Sequence, residues 1–102
     1  MVVADRGAVG ADGIPLKQAV RDTRTLLELM VRGLVDIPDK VAIRCLEGTQ
    51  SVVFEVVVDP TDIRRVIGRK GRIADAIREL ITSYGGKSGR RYLVEIVEPA
   101  WG

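Results

Sequence analysis

The sequence predicts a two-layer α+β domain of order α-β-β-α-α-β, with a three-stranded mixed sheet covered by helices on one face. Three observations carry that expectation. Apolar residues recur at helical spacing between positions 16 and 35. Two β-branched runs flank Gly48-Thr49-Gln50, with a third at 92–97. Two short helical stretches meet at Gly68-Arg69-Lys70-Gly71. With 102 residues, 46% of them hydrophobic, the chain has material for one core and no more.

Residues 1–15 contain Gly7, Gly10, Gly13 and Pro15 without periodicity and are predicted to be a flexible tail. The domain proper is expected over 16–98, and residues 99–102 form a short C-terminal tail. From Leu16 to Val35, the residues Val20, Leu26, Leu27, Met30, Val31 and Leu34 make one stripe, opposite Arg21, Arg24, Glu28 and Arg32. The start of this helix is bracketed between Leu16 and Asp22. Pro38 disfavours helical dihedrals at Ile37 and closes it.

Val41–Glu47 and Ser51–Val58 read as an antiparallel hairpin. Val52, Phe54, Val56 and Val58 share the core face; Val53, Glu55 and Val57 share the other. Asp59-Pro60-Thr61-Asp62 then opens a helix, with Asp59 as cap, Pro60 at the first position and Asp62 beside the positive dipole end. Ile63, Val66 and Ile67 form its apolar face. A second helix is predicted from Arg72 to Tyr84, burying Ile73, Ala76, Ile77, Leu80, Ile81 and Tyr84, and ended by Gly85-Gly86. A basic loop leads to the last strand, Tyr92–Val97.

Charge is distributed unevenly. Residues 1–58 hold 7 basic and 8 acidic side chains, whereas 59–102 hold 9 and 6. Arg64, Arg65, Arg69, Lys70 and Arg72 lie within Ile63–Ala74, where there is no acid, and Lys87, Arg90 and Arg91 form a second cluster. Such clustering is the electrostatic footprint of a nucleic-acid binder. The tetrapeptide between the helices fits that chemistry. Its terminal glycines permit left-handed dihedrals and close approach to another backbone. It opens into a helix N-terminus, which favours an anion, and its two central cations add charge.

The string Val66-Ile67-Gly68-Arg69-Lys70-Gly71-Arg72-Ile73, set between two helices after a hairpin, resembles the signature of the K-homology (KH) domain, in its type II order. The preceding Val35-Asp36-Ile37-Pro38-Asp39 and the small size are similar to the KhpA family of small cytoplasmic bacterial proteins. The resemblance implies that Gly68, Arg69, Lys70 and Gly71 clamp about four nucleotides of single-stranded RNA or DNA. It implies that Ile63, Val66 and Ile67 line one side of the groove, and that Arg72, Ile73 and Ala74 open the other. Small Ala74 makes that wall shallow and sequence preference modest. Lys87 and Arg90, with Arg91, are expected to close the far side. Of Arg64 and Arg65, one is expected to reach the nucleic acid while the other faces solvent. The resemblance further implies an RNA-chaperone or regulatory role, self-association or pairing with a larger KhpB (Jag/EloR)-type partner, and links to cell shape and envelope synthesis.

Other chemistry finds little support. The chain has no histidine, which removes the usual general base and metal ligand, so no cofactor, metal or small-molecule substrate is expected. Cys45 lies in a strand with nothing to activate it. Gly86-Lys87-Ser88 mimics a phosphate-loop ending, but Ile81 stands where that loop needs glycine. Asp5, Arg6 and Asp12 break any signal-like run, which places the chain in the cytosol without a membrane segment. The rival reading is a protein-interaction adaptor or dimerisation module that docks through the first helix or the Val53/Val57 face.

Overall fold

The computed structural model describes residues 8–98, so the expectations for 1–7 and 99–102 lie outside it. The elements are α1 (Leu16–Leu34), β1 (Ala42–Glu47), β2 (Ser51–Val57), α2 (Ile63–Ile67), α3 (Arg72–Ser88) and β3 (Arg91–Ile96), in the predicted order. The sheet runs β1-β2-β3. Strands β1 and β2 are antiparallel with Cys45 opposite Phe54, and β2 and β3 are parallel with Phe54 opposite Val94. Among the described residues, no helix is long and apolar enough to cross a membrane.

Helix α1 begins at Leu16, the early end of the expected bracket, because the Ala19 amide donates to Pro15 O at 3.0 Å. Its buried face is Val20, Thr23, Leu27 and Val31, and the polar Thr23 is satisfied by donating to Ala19 O at 2.7 Å. The core-facing row of β2 is as expected: Val52 and Phe54 are fully buried and Val56 nearly so, against Tyr92 and Ile43. Phe54 and Tyr92 meet edge to face with ring centroids 5.2 Å apart. Each buried side chain of this size contributes roughly 1.5–3 kcal/mol. On the opposite face Arg44 pairs across the strands with Glu55 at 3.3 Å.

Three expectations are corrected, the first two at the ends of elements. Residues 8–15, read as part of the flexible tail, form a turn in which Gly10 donates to Ile14 O and Leu16 to Ala8 O. Ala11 donates to Ser88 O, which docks the turn on the end of α3. Second, Gly85-Gly86 does not end the last helix: α3 continues to Ser88 and stops at Gly89, φ +84°. There the Gly89 amide donates to Gly86 O and Arg90 to Gly85 O, the paired bonds of a left-handed C-terminal cap.

Gly85 instead serves packing. A Cβ at that position lies 2.7 Å from Arg90 O and from Tyr92 Cγ, so only a bare backbone lets α3 settle on β3, whereas at Gly86 there is open space. The neighbouring glycines therefore predict opposite results. Gly85→Ala is expected to destabilise by about 2–3 kcal/mol through overpacking. Gly86→Ala is expected to stabilise by roughly 0.5–1 kcal/mol, the helical preference of alanine over glycine. Urea unfolding of the two variants checks both signs.

Residues Ala76, Leu80 and Tyr84, expected in the core, lie exposed along one side of α3, with Leu80 at 53% and Tyr84 at 48%. The core face of the helix is Ala74, Ile77, Ile81, Gly85 and Ser88, spaced by three and four residues.

Candidate nucleic-acid interface

Helix α2 is only five residues long and relies on its flanks for position. Asp59 caps its entry turn: Oδ2 accepts from the Thr61 amide at 3.0 Å and from the Thr61 hydroxyl, which holds the Asp59 carboxyl below its ordinary pKa. Asp62 does something the local sequence does not reveal. Its side chain is fully buried, with Oδ1 accepting from the Asp36 amide and Oδ2 from the Ile37 amide, each at 3.0 Å. Arg65 completes the knot, reaching Asp36 at 2.9 Å and Asp62 at 3.5 Å. The link after α1 is thus pinned to the foot of α2. Asp62 and Asp36 are 26 positions apart, and no local pattern joins them.

At the head of α2 the chain turns through Gly68 with φ +78° and ψ 172°, a region open essentially to glycine alone. A Cβ there meets Ile73 side-chain atoms at 2.6 Å, so two constraints demand glycine. Lys70 is the one residue other than glycine with positive φ among the described residues, at +56°, and Gly71 follows at +76°. Gly71 donates to Gly68 O, and the Arg72 amide to Arg69 O. No side chain caps the N-terminus of α3. An uncapped helix start therefore lies beside two exposed cations.

The ion pairs sort the cations. Arg65 is tied to Asp36 and Asp62, whereas Arg64, Arg69, Lys70 and Arg72 form no ion pair among the described residues. All four are exposed. Of the Arg64/Arg65 pair, Arg64 is thus the one free to meet a ligand. Ile63, Ile67 and Ile73 are half-buried and offer apolar surface near the loop. Val66 at 0% and Ala74 at 3% exposure do not. Those two are corrections: both side chains point into the core, so neither lines a groove.

Lys87 and Arg90 are also corrected. Because α3 runs to Ser88, Lys87 belongs to its last turn and lines a small cleft with Asp12, Asp22 and Tyr84. Sixteen residue steps of helix put this end about 24 Å from the loop. Arg90 donates through Nη2 to Gly48 O at 2.7 Å and lies 3.6 Å from Glu47, held against the β1–β2 turn. Neither residue stands across from the loop. Arg78 does lie along the exposed edge of β3: its Nε donates to Val94 O at 3.3 Å and Nη1 reaches Asp75 at 3.4 Å. Burial raises the pKa of the Cys45 thiol, consistent with an inert side chain.

A short helix, a left-handed Gly-x-x-Gly turn and a longer helix, laid on a three-stranded sheet after a leading helix and hairpin, define a type II KH-like domain. The chain belongs to the KhpA/KhpB KH-domain family, whose model matches residues 24–96. It is 44% identical over 75 residues to the RNA-binding protein KhpA of Aquifex aeolicus, an alignment covering 74% of this chain and 95% of that protein. It is 43% identical over 74 residues to the RNA-binding protein KhpA of Clostridium acetobutylicum, covering 72% and 99%. It is 44% identical over 69 residues to that of Leifsonia xyli, covering 68% and 88%.

Proposed function

We propose that this protein binds single-stranded RNA by gripping its sugar–phosphate backbone at Gly68-Arg69-Lys70-Gly71, and acts in the cytoplasm as an RNA chaperone or post-transcriptional regulator. The observation that carries this is the loop itself: left-handed Lys70 and Gly71 lead into a helix start that no side chain caps, beside exposed cations that no acid pairs among the described residues. The names of the KhpA relatives, each an RNA-binding protein, support the same reading. Arg64 and Arg72 add charge on either flank, and Ile63, Ile67 and Ile73 give bases an apolar floor. That floor carries no side-chain donors or acceptors, so it contacts every base and discriminates weakly.

Filter binding of single-stranded RNA across a salt series tests this. The expected result is saturable retention whose logarithmic slope against salt is roughly −0.7 for each phosphate contact. Absence of retention at low salt overturns the reading.

A companion proposal concerns partners. The exposed Leu80 and Tyr84, one turn apart on α3, support self-association or pairing with a KhpB-type protein, and equally the rival reading of an interaction module. Light scattering coupled to size exclusion is expected to show concentration-dependent dimer for the wild type, and monomer for Leu80→Glu.

A further inference from the structure

We infer a second phosphodiester contact site at the far end of α3, in the open cleft between the β1–β2 turn and the α3–β3 junction. There it holds the continuation of an RNA strand whose first nucleotides occupy the glycine loop. This rests on the RNA-binding reading above and extends it from a four-nucleotide grip to a preference for longer strands.

The cleft is lined by Thr49, Gln50, Ser51, Gly89, Arg90 and Arg91. Arg90 and Arg91 divide the work. Arg90 is a buttress: its side chain is only 9% exposed, bonded to Gly48 O and beside Glu47, and its buried Nε has no partner. That arrangement fixes the turn against the start of β3, reinforced by the Arg91 amide donating to Gln50 O at 2.9 Å. Glu47 offsets the charge of Arg90. Arg91 is exposed and forms no ion pair among the described residues, so its guanidinium supplies the net positive charge, flanked by the polar side chains of Thr49, Gln50 and Ser51.

The end of a helix ordinarily repels anions through its free carbonyls. Here that repulsion is muted. Gly85 O accepts from Arg90 N and the Ser88 hydroxyl, Gly86 O from Gly89 N, and Ser88 O from Ala11 N. Hydrogen-bonded carbonyls leave little unpaired negative charge facing the cleft.

The spacing sets the strand length. About 24 Å of α3 separates the two sites. At an axial rise of about 3.4 Å per nucleotide in a stacked strand, at most roughly seven nucleotides bridge that gap beyond the four at the loop. A 5-mer therefore fills the loop alone, and a 14-mer reaches both.

The test compares a 5-mer and a 14-mer of one single-stranded RNA repeat by fluorescence anisotropy, with wild type, Arg91→Glu and Arg21→Glu. Arg21 is exposed on α1 and controls for net charge. The wild type is expected to bind the 14-mer at least fivefold more tightly than the 5-mer. Arg91→Glu is expected to cut that ratio to the small factor that extra binding registers supply, while Arg21→Glu leaves it as in the wild type. An equal ratio in wild type and Arg91→Glu overturns the second site with the loop reading intact, and so does equal loss in both variants. Failure of wild type to bind either strand removes the loop reading instead.

Discussion

Replacing Arg69 and Lys70 together by aspartate is expected to lower affinity for single-stranded RNA more than 100-fold while leaving the melting temperature and circular dichroism of the protein unchanged. The binding loss follows from charge. Each cation placed on a phosphate supplies a charge-assisted hydrogen bond of about 1.5–3 kcal/mol, and reversal adds repulsion at the same spot. Losing two contacts also flattens the logarithmic salt slope by about 1.4. Stability is preserved because both side chains are exposed and unpaired among the described residues. Lys70 sits at φ +56°, and aspartate is among the few residues that accept left-handed dihedrals, so the turn keeps its shape. Wild-type affinity in the double variant refutes the loop as the grip. A collapse in melting temperature instead makes the tetrapeptide a structural turn.

The second large effect concerns folding. Asp62→Ala is expected to destabilise the domain by about 3 kcal/mol, a fall in melting temperature of roughly 12–24 °C for a domain of this size. The carboxylate is fully buried and satisfies two backbone amides, Asp36 and Ile37, while balancing Arg65. Truncation orphans both donors, each costing about 1–3 kcal/mol when water cannot replace the acceptor. Asn at the same position has one acceptor oxygen, and an intermediate loss is expected. Thermal melts of the alanine and asparagine variants beside Asp59→Ala separate this staple from ordinary capping. Asp59 is half-buried and bonds only within its own turn, so its loss is expected to cost far less than that of Asp62. A melting temperature for Asp62→Ala within 3 °C of wild type contradicts the staple.

These two aspartates mark the boundary of what local pattern reveals. Asp59 was legible because a cap acts over two residues, and Asp-Pro-Thr announces it. Asp62 looks locally like a dipole partner, because its acceptor role runs to the Asp36 and Ile37 amides on the far side of the hairpin. The glycines divide likewise. Gly68 and Gly71 showed their turn geometry through spacing and flanking cations. Gly85 carried the same local signal as a helix terminator but answers to the Tyr92 ring beneath it. Val66 lies in the very string that carries the family resemblance and Ala74 follows it directly, yet their side chains turn inward.

From sequence alone came the order of elements, the core row of β2, the glycine loop and its cations, because periodicity, turn chemistry and charge act between near neighbours. Tertiary structure alone decided which cations are free, since Arg65 differs from Arg64 only by the acids packed beside it. It decided too where Lys87 and Arg90 lie, since the extra turn of α3 beyond Tyr84 carries them away from the glycine loop. Pairing and distance are properties of packed elements, and no stretch of chain contains them.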